Sequence, residues 1–435
     1  MLVYLICCIV SFILAWQHIY VLSGLVLLGA ALWLYIKDYM RTGNLIHLRG
    51  LFCLFFVGGQ GISCFKLSRL QTDWALMTWI SLFLAVVFFW TVFEILTRLF
   101  DGWSEKDMQS VYRFFSSGES PLQAKRILIS MSVITAVSLL AFSFEAWRLG
   151  FVPMFSYGVP HAYSEFHISG VHYFTVSCVL VPSLSVVYSL MLARRGRGLI
   201  RYKGFWLAVV CDIMAVMIPL LCVSRFQLIL AVGMAVFTYI SMTGSFSLIY
   251  VGVLLVALIP AYVALTVLRS HSVEYLNGIF EMKNSHMPIF ITQPYMYIAN
   301  NYDNFNCMAA ELKHFSFGLK GLFPLWALTG LKFIFPSLAD FPLFVTKEEL
   351  TTVTLFYDAF YDFGVVGMIF FGGLLGGCCY LLGRFRRKLT CPAGHVIYAQ
   401  IAMYMMLSFF TTWFSNPTTW FYLIISGIVY VYVNS

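Results

Sequence analysis

Asp358 and Asp362 stand four residues apart where an apolar run begins, in the stretch from Thr354 to Gly364. On a helix that spacing puts both carboxylates on one face. Two acids at the mouth of a span can accept a proton, steer a cation or pair with arginine, and the helix dipole alone also favours an acid there. Tyr357 and Tyr361 share the stretch. Glu145 closes another apolar run and is followed by Arg148, Gly150, Pro153, His161, Glu165 and His167. Arg225 lies in a tight Ser224-Arg225-Phe226 turn between two apolar runs, and Arg269-Ser270-His271 follows a third. An arginine with almost no loop to hold it in water is costly near hydrocarbon unless it snorkels or meets an anion. These groups offer general acids and bases in Asp358, Asp362, Glu145 and His271, and anion donors in Arg148, Arg225 and Arg269.

A second grouping is aromatic and amide: Tyr295, Tyr297, Asn300, Asn301, Tyr302 and Asn304. Rings stack on the apolar faces of sugars and amides bond hydroxyls, although an interfacial aromatic belt has the same composition. His161, His167, His271, His286 and His314 show no metal-site spacing, and the eleven cysteines form no CxxC pair or Cys/His cluster. The cysteines read as small buried apolar residues. No metal and no cofactor are expected.

What must position these groups is a membrane. Of 435 residues, 61% are hydrophobic, 18% aromatic and only 11% charged, with a mean hydropathy of +0.85. A soluble domain carries about 25% charged residues, so a soluble enzyme, a disulfide scaffold and a disordered regulator are excluded. The net charge of +8 gathers beside apolar runs, as orientation signals do, and gives no reason to expect nucleic acid.

At about 20 residues per span, the chain reads as an all-α polytopic integral membrane protein of about twelve transmembrane helices. They are expected near 2–16, 20–36, 50–65, 75–97, 127–147, 171–193, 205–223, 226–242, 246–268, 356–383, 393–412 and 417–433. Residues 2–16 read as a retained helix, since no basic residue precedes them and no small-x-small cleavage site follows. With the N-terminus cytoplasmic, the inner segments hold 17 Lys and Arg against 4 in the short outer ones. Both termini are therefore expected in the cytoplasm. The chain 1–435 reads as one transmembrane domain, with 269–355 as a long outer loop. Within that loop, Phe317 to Phe335 is apolar but punctuated by glycine, and reads as an interfacial or re-entrant helix. Gly372-x-x-x-Gly376 and Gly373-x-x-x-Gly377 read as close helix packing. No Gly-rich phosphate loop is present, which argues against an ATPase.

The Ser224-Arg225-Phe226 turn, the Arg269 loop opening, Gly150-x-x-Pro153 and the stretch Thr354 to Tyr361-Asp362-Phe363-Gly364-x-x-Gly367 together resemble the O-antigen and polysaccharide repeat-unit polymerase family, the Wzy type. Some members carry R-x10-G repeats in outer loops; here Val236 and Phe280 stand where those glycines would fall. The resemblance implies an enzyme of the bacterial inner membrane that joins polyprenyl-pyrophosphate-linked oligosaccharide repeat units on the periplasmic face. An acceptor hydroxyl would attack the anomeric carbon of the chain's reducing-end sugar and polyprenyl pyrophosphate would leave. Arginines would meet the leaving charge. A carboxylate or histidine would take the proton. The same resemblance implies membrane lipids and a chain-length regulator protein as partners. A lipid-linked oligosaccharide flippase and an O-antigen ligase stay open as alternatives. Flippases tend to place charges within their spans, and an outer-face acyltransferase would show a His-centred motif.

Overall fold

The computed structural model describes residues 1–101, 120–156, 165–195, 198–245, 278–284 and 286–435. Among them the protein is all-helical. The main helices are α1 (Leu2–Trp16), α2 (Tyr20–Thr42), α3 (Leu48–Ser63), α4 (Leu76–Phe100), α5 (Pro121–Leu149), α6 (His172–Ala193) and α7 (Lys203–Leu221). They continue with α8 (Arg225–Thr243), α9 (Ile289–Glu311), α10 (Phe323–Leu328), α11 (Leu331–Ile334), α12 (Tyr357–Arg387), α13 (Gly394–Met406) and α14 (Pro417–Asn434). Among the described residues seven, α2, α4 to α8 and α12, are long and apolar enough to cross a membrane. The chain is thus a multi-pass membrane protein by length and composition. The expected span 246–268 lies outside the described residues.

The chain divides into two compact units. Unit 1 comprises Met1–Asp107, Val273–Phe385 and Tyr404–Trp420, and unit 2 comprises Met108–Ser272, Arg386–Met403 and Phe421–Ser435.

Unit 1 is built on close helix contacts that only glycine permits. A Cβ on Gly372 would stand 2.7 Å from the Ala85 carbonyl oxygen and one on Gly376 2.2 Å from that of Phe89. These two glycines seat α12 directly on the backbone of α4. Gly373 and Gly377 meet only side chains at ordinary distances. Gly24 and Gly61 do the same work between α2 and α3, each with its partner's carbonyl oxygen under 3 Å from its missing Cβ.

α3 contains a π-helical turn, Cys53–Val57. Its cause is Tyr302 of α9, whose hydroxyl donates to the Phe56 carbonyl at 2.5 Å and accepts from the Gln60 N–H. A side chain inserted into the ladder in this way widens a helix locally. Gly59 makes room, since a Cβ there would lie 2.7 Å from the tyrosine oxygen.

Charges inside unit 1 are paired. Arg49, 1% exposed, grips Asp38 through Nε (2.8 Å) and reaches Glu94 through Nη1 (2.8 Å). Arg41 also bonds Glu94, at 3.0 Å. Asp303 on α9 accepts from Lys66 Nζ (2.8 Å), Gln71 Nε2 (2.7 Å) and Trp74 Nε1 (2.8 Å). That carboxylate ties the 64–75 loop to α9, because a buried charge demands several donors.

In unit 2, Glu145 near the end of α5 is fully buried. Its carboxylate accepts from Ile168 N (3.0 Å) and Thr175 Oγ1 (2.7 Å) and faces His172 Nδ1 at 3.2 Å. Arg386 donates to Ser241 Oγ (3.0 Å) and Ser241 O (3.1 Å), and lies 4.9 Å from the Tyr398 ring centre.

Candidate functional site

The strongest site in unit 1 forms where α12 begins. Gly364, at φ +59 and ψ −140, breaks α12 after its first turns. A Cβ on Gly367 would collide with the Ala359 carbonyl oxygen at 1.9 Å, so the broken start folds tightly on the rest of the helix. The segment after α9 wraps this broken turn. Ser316 N donates to Tyr361 O (3.3 Å) and Phe317 N to Asp362 O (3.1 Å). Phe317 and Gly318 both take positive φ, +51 and +93, which curls the chain back on itself.

Asp362 sits at the centre of that curl. Its carboxylate accepts from Lys320 N (3.1 Å), Gly321 N (2.8 Å) and the Ser316 hydroxyl. Three donors hold its oxygens, so it organises the loop.

Asp358, one turn earlier, faces Lys320 Nζ at 3.8 Å, with Thr412 and Ser415 as hydroxyl donors. Lys320 lies 3.9 Å from the Tyr361 ring centre and 5.1 Å from that of Tyr357. Burial lowers the Lys320 ammonium below its ordinary value, while Asp358 and Asp362 pull it back up. Tyr357 is fixed between Phe344 N (2.9 Å) and Phe344 O (3.1 Å).

Tyr361 also lines a cleft of about 1000 Å³. Phe315, Phe317, Phe341, Phe344 and Tyr361 supply ring faces, and Glu311, Lys313, His314, Ser316 and Asp340 supply charge and hydrogen bonds. Aromatic faces with a charged and polar rim suit a sugar, whose ring is apolar on its faces and polar at its edges.

The sequence candidates distribute as follows. Tyr361 lines the cleft, Asp358 and Asp362 stand behind it, and Tyr357 is bonded into its wall. Tyr295 and Tyr302, expected on an outer sugar-binding surface, are inside the helix packing. The Tyr295 hydroxyl donates to Gln71 Oε1 and accepts from Leu67 N. Asn300 and Asn304 bond Thr346 and the Leu350 and Thr352 carbonyls. The cluster is the buried face of α9, because its amides serve loop backbone. Glu145, Arg148 and Arg225 belong to unit 2. Glu145 is fully engaged, Arg148 is exposed, and Arg225 is buried at the start of α8 and is not a free cation. Arg269, His271 and His161 lie outside the described residues.

Sequence reasoning missed Glu311, Lys313 and Asp340, and passed His314 over when it looked only for metal spacing. The signal available was their nearness to Phe315, Phe317, Phe341 and Phe344 in the sequence. Among the described residues no group of three or more His, Cys, Asp or Glu could hold a metal ion, and no cysteine is in a disulfide.

Comparison with known proteins gives no matching family model, no matching curated protein and no matching solved structure.

Proposed function

We propose that this chain polymerises lipid-linked oligosaccharide repeat units, with the cleft beside Tyr361 as the glycan-binding site on the periplasmic face of a bacterial inner membrane. The observation that carries the reading is the cleft itself: about 1000 Å³, ringed by five aromatic side chains and edged by Glu311, His314 and Asp340. Its volume is at the upper end of small-ligand sites and fits more than one sugar. It abuts the first turns of α12, one of the candidate membrane spans. A glycan on a lipid carrier would be presented at that depth.

The chemistry required is modest. The donor's pyrophosphate already activates the anomeric carbon, so neither nucleotide nor metal is called for. The acceptor hydroxyl attacks that carbon, the bond to the pyrophosphate oxygen breaks, and the hydroxyl proton passes to a base. Glu311, Asp340 and His314 line the space where that base is needed, and proton transfer by a positioned group contributes roughly 100- to 10,000-fold. Asp362 holds the loop that shapes the cleft, and Asp358 with Lys320 backs its wall. Arg148 and Arg225 belong to the other unit, and Arg269 and His271 lie outside the described residues, so this site is argued without them. Membrane lipids, and a chain-length regulator, are the partners this reading implies.

The test uses purified full-length protein with a synthetic polyprenyl-pyrophosphate repeat unit. Polymerisation releases one polyprenyl pyrophosphate per added unit and yields a ladder still attached to the carrier. Transfer of the glycan to a different acceptor without a ladder would support the ligase reading instead. No release at all, from protein that binds the glycan, would remove the enzymatic claim.

A further inference from the structure

A second cavity, of about 90 Å³, opens in unit 1 where α1 ends and α2 and α4 begin. Its wall is aromatic: Phe12 and Trp16 from α1, Tyr20 from the start of α2, Trp74 from the 64–75 loop and Trp79 from α4. The helices that frame the cavity set its depth. α2 and α4 are candidate membrane spans, so their starts lie near the water. On α1, Ile6, Ile9, Ile13 and Trp16 are all exposed and stand three or four residues apart. They form one apolar stripe that ends in Trp16, which is 77% exposed. An indole that closes a lipid-facing stripe marks the level of the headgroups.

The charged residues of the wall select the ligand. Lys66 Nζ lies 4.5 Å from the Trp74 ring centre, but Asp303 (2.8 Å) meets its charge and Thr72 O (2.6 Å) takes a second proton. Asp73 is the acid left over. Its Oδ1 accepts from the Tyr20 hydroxyl at 2.6 Å. That phenol has one proton, so His18 Nδ1, 2.6 Å from the same oxygen, donates to it. Asp73 Oδ2 stands 3.6 Å from the His18 nitrogen, beyond hydrogen-bond length. Among the described residues no lysine or arginine pairs with Asp73. His18 and Lys66 both line the cavity on left-handed backbone, at φ +60 and +51. Non-glycine residues rarely adopt that conformation, and it gathers at binding sites.

We propose that this cavity binds the ammonium headgroup of an ethanolamine phospholipid, in the leaflet where α2 and α4 begin. The aromatic faces attract a cation through their negative quadrupole. Asp73 Oδ2 accepts an ammonium N–H and supplies the opposite charge. A volume of about 90 Å³ takes a headgroup of a few heavy atoms, whereas a chain of sugars needs a space nearer that of the cleft beside Tyr361. Phosphatidylglycerol offers no cation, and its net negative charge meets that of Asp73. The cavity shares no lining residue with the cleft, and its ligand does not depend on the function proposed there.

The experiment is native mass spectrometry of the full-length protein in detergent, titrated with phosphatidylethanolamine or phosphatidylglycerol of the same acyl chains. The readout is the affinity for the first lipid retained. A cation over exposed rings gains about twofold to fivefold in affinity, and an exposed ion pair a similar factor. The parent should therefore prefer the ethanolamine lipid at least about fourfold. Asp73→Asn and Trp16→Leu should each lower that preference about twofold to fivefold. The Asp73 side chain is 59% exposed and Trp16 77%, so neither variant disturbs the packing. Trp147→Leu removes an equally exposed indole from unit 2 and should leave the preference unchanged. Equal retention of the two lipids by the parent, an unchanged preference in Asp73→Asn, or the same loss in Trp147→Leu as in Trp16→Leu would overturn the proposal. Glycerophosphoethanolamine, the headgroup without its chains, is the last arm. It is expected to leave the bound lipid in place, and displacement at the concentration of the intact lipid would overturn the assignment to the membrane.

Discussion

Replacing Asp362 by asparagine separates a loop anchor from a chemical participant. The carboxylate accepts from Lys320 N at 3.1 Å, Gly321 N at 2.8 Å and the Ser316 hydroxyl. Asparagine keeps the shape but offers one oxygen and one amide nitrogen. If the nitrogen takes the Oδ2 position, it meets the Gly321 N–H donor to donor. If it takes the Oδ1 position, it meets Lys320 N and loses that bond. Hydrogen bonds to a charged group contribute about 1.5–3 kcal/mol each, so about 2–3 kcal/mol of loop stability is lost. Opening of residues 312–321 should rise about 30- to 150-fold, since 1.4 kcal/mol is a factor of ten. The assay is limited trypsin digestion in nanodiscs, read as the rate of cleavage after Lys313. Under conditions where closing outruns cleavage, that rate follows the open population. Cleavage should accelerate by this factor and glycan binding should weaken with it. Unchanged cleavage alongside lost polymerisation would refute the reasoning, and would put Asp362 on the substrate.

Other consequences follow from the same contacts. Tyr302→Phe removes the hydroxyl that bridges Gln60 N and Phe56 O, and should lower stability by about 1–3 kcal/mol in an unfolding assay. Gly376→Ala forces a Cβ to 2.2 Å from the Phe89 carbonyl oxygen and should cost about 1–3 kcal/mol by the same measurement. Lys66→Met leaves the buried Asp303 carboxylate without its cation and should cost about 3–5 kcal/mol, read as a loss of folded protein in mild detergent. Burial holds Lys320 in the folded protein below its ordinary value, so between that lowered folded value and about 10.4 the unfolded chain binds the extra proton. The stability this group carries therefore increases with pH across that window. Lys320→Met should flatten the increase in unfolding midpoint, and a steeper rise in the variant would contradict the sign.

Much of the helical architecture was legible because apolar runs of this length have few other uses. The starts of α2, α4, α8 and α12 fall within two residues of the runs that announced them. Gly372 and Gly376 were also readable as a packing face, since two small residues at that spacing on an apolar helix invite close approach. α9 was not readable. Its Tyr, Asn and Asp residues have the composition of a wet surface, and only the structure reveals that they serve the 64–75 and 344–352 loops. A polar helix turned inward has no periodicity that distinguishes it from a polar helix turned outward. The break after Met406 was equally silent, because Ser408, Thr411 and Thr412 are residues a membrane helix also tolerates and neither Gly nor Pro marks the spot.

The cleft was half legible. Asp358, Asp362, Tyr357 and Tyr361 were legible as one group, and they lie together in the first turns of α12. The partners that complete it, Lys320 and Ser316 against the carboxylates and Phe341 and Phe344 against the ring, come from segments up to 46 residues away in sequence. No local pattern encodes such a meeting. It rests on the +51 and +93 backbone turn at Phe317 and Gly318.

The central claim, that this chain extends lipid-linked glycans, is tested most directly by profiling surface and carrier-bound glycans in cells that lack it. Such cells should carry glycans one repeat unit long on the carrier or on the final acceptor, with longer species restored by the intact chain. Long lipid-linked chains in the deletion strain would contradict it.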